Sequence, residues 1–265
     1  MNSQDLPLVS IVIPLYNASK YIEETVNSVI SQTYTNWEMI IVDDCSIDNS
    51  RDIINEFICK DNRINLIELS NNFGGPAHPR NVGVEHSKGQ YIAFLDSDDL
   101  WEEKKLEIQL KIMIKENLNF TSTDRIDIDY SSKMIKQKSM FFTWYKQTGR
   151  STLGDLLSFS FIANSSVIID KSILPQITED KDFISVEDYC TWLEVFNNPK
   201  TKYKYLKLKL LKYRVLDSSI SNRSIENKQE SKLNLCISRF IVKYKYYNLL
   251  KYYYSRVSKR FKVIK

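Results

Sequence analysis

Tyr91-Ile-Ala-Phe-Leu-Asp-Ser-Asp-Asp99 is the stretch on which the fold turns. Five residues without a charge give way to three carboxylates in four positions. A short apolar run of this kind reads as a strand buried on both faces. Three more such runs lie upstream. Val9-Ser-Ile-Val-Ile13 leads into Pro14-Leu-Tyr-Asn17, Met39 to Val42 into Asp43-Asp44, and Asn65 to Leu69 into Ser70-Asn-Asn72. Helical spacing fills the gaps. Ile22, Val26, Val29 and Ile30 share one face of Lys20 to Ile30, and Ile53, Ile54, Phe57 and Ile58 one face of Asp48 to Cys59. Pro76 to His86 reads as a third helix, with proline near its first turn. Asp99 to Glu116 reads as a fourth, with Asp99 as N-cap and Glu102 as its capping-box partner.

Buried strands alternating with helices give an α/β fold, a mostly parallel central sheet flanked by helices. Ligands of such sheets bind at the carboxyl ends of the strands. All four strand ends here are polar, and two are carboxylate pairs. One such end is an ordinary turn or helix cap, whereas four in succession point to a binding site. No GxGxxG and no GxxxxGK[ST] occurs, so neither a dinucleotide site nor a P-loop is supported. Asp96 and Asp98 in a tight turn suit a hard divalent cation, which would neutralise a diphosphate. Gly74-Gly-Pro-Ala-His-Pro-Arg-Asn-Val-Gly83 opens a helix whose N-terminus favours anions, with Arg80 within reach of a phosphate or a sugar hydroxyl.

Residues 117–225 are less regular. Ala163 to Ile169 and Tyr205 to Val215 read as strands, the second with Leu206, Leu208 and Leu210 facing inward and Lys207 and Lys209 outward. Val186 to Leu193 reads as a helix start, and a last helix is expected from Leu233 to about Tyr254. Three segments follow: a ligand-binding half over 1–116, a second half of the same domain over 117–225, and a basic aromatic helical extension over 226–265.

Composition excludes other classes. The 265 residues are 43% hydrophobic and 26% charged, with only 6 Gly and 6 Pro, which is neither a disordered chain nor a repeat array. No apolar run approaches a bilayer span, and Met1 to Leu8 carries no leader pattern, so a cytoplasmic location is expected. Cys45, Cys59, Cys190 and Cys236 are scattered, which reads as four reduced thiols. The net charge of +4 hides an asymmetry. Residues 231–265 carry ten Lys or Arg and no acid, whereas residues 1–230 carry 27 basic and 33 acidic side chains. Such a tail seeks a polyanion. It reads either as an amphipathic surface on an anionic membrane or as a helix packed on the body; no nucleic-acid-binding fold supports RNA.

Val9 to Asn17, Val42 to Ser46, Gly75 to Gly83 and Phe94 to Asp99, in this order and spacing, resemble glycosyltransferase family 2, the inverting transferases of GT-A fold. The resemblance covers roughly residues 8–221. It implies that Pro14 and Tyr16 line a nucleobase pocket and that Asp44 accepts the uracil N–H. It implies that Asp96 contacts the ribose or donor sugar, that Asp98 ligates Mn²⁺ or Mg²⁺, and that Arg80 contacts the donor. Glu187-Asp188 resembles the family's acidic pair, with Asp188 as general base. Glu187, Trp192 and Arg214 are implied as acceptor or diphosphate contacts. Tyr213 to Ser221 resembles the later YRxHxxSxS element, with Leu216 where many members carry His. The implied activity is transfer of a hexose or N-acetylhexosamine from a UDP-sugar to a glycan acceptor, lipid-linked, in cell-surface polysaccharide synthesis of the O-antigen or capsule type. The enzyme would be peripheral at the inner face of the membrane. A sugar nucleotidyltransferase would need a basic loop after the first strand, and Pro14 to Ser19 has none. A non-catalytic sugar-nucleotide-binding module would have no need of Asp188.

Overall fold

The computed structural model describes residues 6–135, 152–216, 226–251 and 253–254, and of residues 226–228 the backbone alone. One eight-stranded sheet, in order β3-β2-β1-β4-β7-β6-β8-β5, carries helices on its faces. Strands β1 (Val9–Leu15), β2 (Trp37–Asp43), β3 (Ile64–Glu68) and β4 (Tyr91–Phe94) are parallel. Every residue of β2 and β4 is buried, and all of β1 but Pro14. Helices α1 (Ile22–Ile30), α2 (Ser50–Ile58) and α3 (Ala77–His86) make the crossovers. The chain leaves β1 toward β2 on one side and reaches β4 on the other, so the sheet order reverses at the ends of β1 and β4.

Helix α3 is pressed onto β1. A Cβ on Gly83 would lie 2.4 Å from Val12 Cγ1, a distance no packed methyl tolerates. That contact fixes the depth of α3 and carries Arg80, one turn earlier, toward the carboxyl edge of the sheet.

Beyond β4 the sequence expectations need correction. Asp99 caps no helix. The chain makes a two-residue strand β5 (Leu100–Trp101), and helix α4 runs only over Lys105–Lys115. β6 (Phe120–Ile128) is a strand that the sequence pattern hides, because Thr121, Ser122, Thr123 and Asp124 are polar and buried. Gln109 Nε2 donates to Thr121 Oγ1, and Ser122 Oγ and Tyr203 Oη are hydrogen-bonded, so buried polarity here is satisfied by neighbours. A short helix α5 (Leu153–Ser158) follows, opened by a Thr152–Asp155 capping box. The expected strand from Ala163 is a 3₁₀ turn at Asn164–Ser166 followed by β7 (Ile168–Asp170), antiparallel to β4 and β6. β8 (Tyr203–Arg214) is present, parallel to β6, but its alternation breaks at a bulge. Thr123 pairs Leu206 and Asp124 pairs Lys209, which turns Leu208 outward to 41% exposure.

Helix α6 (Glu187–Asn197) packs against helix α7 (Glu226–Tyr244). α7 starts before Leu233 and breaks after Tyr244, Lys245 lying in the left-handed region at φ 57°, and helical residues resume at Leu250, Lys251, Tyr253 and Tyr254. Leu233, Cys236, Ile237, Phe240 and Ile241 of α7 are buried in the body's core. Each such side chain contributes about 1.5–3 kcal/mol as an upper estimate, enough to hold the helix in place. Lys232 donates to Ile184 O, Arg239 pairs with Asp180 and Asp182, and Lys243 pairs with Glu194. Of the two readings of the tail, the described part packs on the body. Tyr252, Arg256, Lys259, Arg260, Lys262 and Lys265 lie outside the residues whose side chains are described. Cys190 and Cys236, read from sequence as reduced thiols, are joined as a disulfide between α6 and α7, with a Cα separation of 6.0 Å. The pair is 46 residues apart in sequence and only the helix packing reveals it. Cys45 and Cys59 are free. Among the described residues no helix is long and apolar enough to cross a membrane.

Candidate active site

The ends of β1 and β2 are stapled to each other. Asn17 N–H donates to Ser46 Oγ, Asn17 Oδ1 accepts from Ile47 N–H, and Ser19 N–H donates to Asp48. Asp43 is consumed by this staple. Its carboxylate takes the Ser46 N–H and lies 3.8 Å from Arg51 Nε. Asp44 is buried but turned the other way. One oxygen accepts the Phe73 N–H at 2.9 Å, and burial raises its carboxyl above the ordinary range against that hydrogen bond. Tyr16, at the end of β1, is 52% exposed, and Pro14 is half-buried. An aromatic ring beside a carboxylate at a sheet's switch point is a place for a flat heterocycle that offers an N–H.

The loop Asp96–Asp99 is held from four sides. Ser165 Oγ accepts the Asp96 N–H and donates to Asp99 at 2.5 Å. Arg214 N–H donates to the other Asp99 oxygen, and Arg214 Nε donates to the carbonyl of Asp98 at 2.8 Å. Thr25 Oγ1 donates to Ser97 O, and Arg80 Nη2 binds the Asp96 carboxylate at 2.7 Å. Asp99 is thus a buried strut, pushed well above the ordinary carboxylate range by burial and by Asp98 and Asp96. Burial, with the Asp96 charge beside it, pushes Asp98 up to about 6.

Arg80 joins this loop to α6. It is 4% exposed, and its second nitrogen Nη1 binds Glu187 Oε1 at 2.7 Å, across 107 residues of sequence. With its amide turned to satisfy both groups, Asn164 Oδ1 accepts from Arg80 Nε and Nη2 at 3.2 Å each. Burial works against the charge, but Asp96 and Glu187 outweigh it and keep the guanidinium protonated. The nitrogens of Arg80 are engaged inside the protein, where they fix Asp96 relative to Glu187. Asp188 opens α6 beside this pair. Its Oδ1 accepts the Tyr189 N–H at 2.7 Å. Burial pushes its carboxyl up to about 7, Glu187 adding to the push and Arg80 opposing it.

Trp192 and Arg214, expected as acceptor or diphosphate contacts, are also buried. Trp192 is 1% exposed and lies against Phe94 and Phe120, so its indole belongs to the core. Arg214 has no exposed side-chain surface. Beyond its hold on Asp98 and Asp99 it binds Asp129 O, Ser132 Oγ and Glu24 Oε2. It braces the acidic loop from below. Ser165, Asn164, Thr25 and Glu24 are site residues that sequence reading missed; single hydroxyls, amides and a helix-surface acid carry no spacing signal. Leu216 is described and half-buried, while Asp217 to Ser221 lie outside the described residues.

The cluster sets five carboxyl groups, Asp96, Asp98, Asp99, Glu187 and Asp188, against two guanidiniums, Arg80 and Arg214. Among the described residues no group of three or more His, Cys, Asp or Glu forms a ready metal cage. The donor set still fits a hard divalent cation. Mg²⁺-type sites take one or two carboxylates and fill the remaining positions with substrate phosphate and water.

The glycosyl transferase family 2 profile matches residues 10–177. The chain belongs to that family. TuaG of Bacillus subtilis (strain 168), named for teichuronic acid biosynthesis, is 38% identical to this transferase over 216 residues, 82% of either chain. The Escherichia coli UDP-Glc:alpha-D-GlcNAc-diphosphoundecaprenol beta-1,3-glucosyltransferase WfgD is 34% identical over 220 residues, 83% of this chain and 81% of its own. Among solved structures, S. aureus TarS 1–349 in complex with UDP-GlcNAc superposes with a TM-score of 0.68 at 22% identity, covering 88% of this chain and 66% of that one. The mannosyltransferase PcManGT of Pyrobaculum calidifontis, solved with GDP-Man and Mn²⁺, gives 0.66 at 16% identity, covering 89% and 64%. The fold is therefore the GT-A fold, and the chain spans about two thirds of those crystallised chains.

Proposed function

We propose that this glycosyltransferase is an inverting enzyme. It moves a hexose or N-acetylhexosamine from a UDP-sugar to a lipid-linked glycan acceptor in cell-surface polysaccharide synthesis. The observation that carries the reading is Asp188. One carboxyl group, tuned to about 7, opens a helix beside the arginine that also holds the acidic loop. A base for an acceptor hydroxyl needs a pKa near the working pH. Asp44 would read the uracil imide with Tyr16 and Pro14 against the ring, and Asp96 would face the ribose or sugar. Asp98 would hold Mn²⁺ or Mg²⁺, which when bound supplies neutralising charge for the departing diphosphate.

In the reaction, Asp188 takes the proton of the acceptor hydroxyl. The freed oxygen bonds to the anomeric carbon from the face opposite UDP. The bond from that carbon to the diphosphate oxygen breaks, and its electron pair leaves with UDP. One base suffices, because the leaving group needs no proton; the two-carboxylate scheme of glycoside hydrolysis is not required. The names of TuaG and WfgD support the polysaccharide setting and a diphosphoprenol acceptor. The UDP-GlcNAc complex of TarS and the Mn²⁺ complex of PcManGT support the donor and the metal. Peripheral binding to an anionic membrane would use tail charges left after Lys232, Arg239 and Lys243 are spent on the body, beginning with exposed Lys245.

The test is transfer from a panel of UDP-sugars to a synthetic prenyl-diphosphate sugar with Mn²⁺, with the product's anomeric configuration read by NMR. A product of opposite configuration to the donor, lost in Asp188→Asn, is expected. Retained configuration, or full activity in Asp188→Asn, would contradict the reading.

A further inference from the structure

The chain enters α6 through a strained residue. Ser185 lies in the left-handed region at φ 78°, which residues with a side chain seldom adopt. Val186, Glu187 and Asp188 follow at once, so the turn at Ser185 sets the direction in which α6 begins. Its own hydroxyl gives no support, because Ser185 Oγ is buried and makes no hydrogen bond with the described residues. Strain of this kind persists only where the surroundings over-determine it. Within the turn, Val186 N–H donates to Phe183 O at 2.8 Å.

From outside the turn, α7 supplies the rest. Lys232 Nζ donates to the Ile184 carbonyl at 2.8 Å, and Gln229 Nε2 donates to the Ser185 carbonyl at 3.4 Å. Residues 229 and 232 are three apart and share one face of the helix. The peptide groups on both sides of Ser185 are therefore held by one turn of α7. Two turns on, Arg239 pairs with Asp180 and Asp182 at 2.7 and 3.1 Å and lies 4.8 Å over the ring of Phe183. Asp180 caps the 3₁₀ turn Lys181–Phe183, which leads into Ser185. The apolar face of α7, with Leu233, Ile237, Phe240 and Ile241, already docks the helix. The two donors at 229 and 232 are thus free to serve the turn.

We infer that Lys232 and Gln229 are positioning residues for Asp188. By holding the carbonyls on either side of Ser185, they fix the turn that delivers the carboxyl group to the site. Arg80 holds Glu187 from the sheet side, and α7 holds the same helix start from the other end of the chain. The inference rests on the reading of Asp188 as the base and adds a control on that base from the C-terminal helix.

The test uses Lys232→Met and Gln229→Leu, singly and together, which keep the stem of each side chain and lose the donor. The carboxyl titration of Asp188 is followed by ¹³C NMR, its signal being the one that Asp188→Asn removes; this readout needs no acceptor. Burial is the largest cause of the raised Asp188 value of about 7, with Glu187, Arg80 and Asp96 as its charged neighbours. A loosened turn admits water, so the Asp188 titration should move down in the double variant. In the transfer assay kcat should fall by at least about tenfold, since misplacing a reacting group by about 1 Å costs up to about 10²-fold. KM for the UDP-sugar should stay within about twofold, because donor binding is not touched. Lys232→Arg, which keeps a donor, should restore most of the loss. Ser185→Gly adopts φ 78° without strain, so in that background Lys232→Met should cost less. A double variant with the wild-type titration and kcat overturns the inference, as does an equal loss with Ser or Gly at 185. Full activity of Asp188→Asn instead overturns the reading on which it rests.

Discussion

Strands β1 to β4 and strands β6 to β8 share one sheet and one working edge, yet they are built differently. The first group is mostly apolar, with one buried polar pair near its start, Ser10 Oγ donating to Glu38, and its acids cluster at the strand ends. The second buries polar side chains within β6, interrupts β8 with a bulge, and depends on partners far away in sequence. The first group therefore supplies a platform whose loops are fixed by neighbours, as Asn17 and Ser46 show. The second supplies the groups that must be placed relative to that platform. Arg80 to Glu187 and Arg214 to Asp99 are the bonds that do it, spanning 107 and 115 residues. In the proposed reading, binding belongs to the platform and catalysis depends on the cross-links.

Substitutions on the two sides should separate these contributions. The largest effect is expected at the catalytic end. Asp188→Asn should lower kcat by about 10³-fold, within the range for a lost general base, with UDP affinity unchanged. Equal loss of UDP binding would show that the two regions are not separable. Arg80→Ala removes the link itself. It should lower kcat by at least about tenfold while the chain stays folded, and it should raise the pKa of Asp188, since Arg80 is the charge that opposes its rise. The activity of the wild type should climb with pH through about 7, as Asp188 loses its proton and becomes a competent base. In Arg80→Ala that limb should move to higher pH, and in Glu187→Gln to lower pH, because Glu187 is the charge that pushes Asp188 up. A pH–rate profile of kcat/KM reads both shifts, and identical limbs in all three proteins would contradict the assignment of Asp188. On the platform side, Gly83→Ala should cost stability rather than chemistry. Its Cβ would meet Val12 at 2.4 Å, and overpacking of this kind costs about 1–3 kcal/mol, seen as a lower Tm in calorimetry.

The same contrast explains what the sequence disclosed. Local periodicity sufficed for β1 to β4 and for α1 to α3, because buried parallel strands and amphipathic helices announce themselves residue by residue. β6 was hidden because Thr121 to Asp124 read as polar loop until Gln109 and Tyr203 are known to satisfy them. Asp99 passed for a helix cap because Ser165 and the Arg214 backbone, its true partners, are 66 and 115 residues away. The positions of Asp44, Asp96, Asp98 and Glu187-Asp188 were legible as strand-end and helix-start acids. That one buried arginine ties two of them together was not, since Arg80 on a loop–helix junction looks like any arginine awaiting a ligand. The depth of Trp192 and Arg214 was not legible for the same reason: composition gives a side chain's chemistry but not its burial. The helical tail had two readings, and burial of Leu233, Ile237, Phe240 and Ile241 shows that its described part packs on the body, which leaves the membrane reading to the charges beyond it.

In the proposed reading the platform holds UDP, its uracil through Asp44 and its diphosphate through a cation at Asp98. Calorimetric titration of UDP, with and without Mn²⁺, on the wild type, Asp44→Ala and Asp98→Ala addresses it directly. Mn²⁺-dependent binding to the wild type, loss of the Mn²⁺ dependence in Asp98→Ala, and at least tenfold weaker binding in Asp44→Ala are expected. Binding of equal strength in all three proteins, indifferent to Mn²⁺, would contradict it.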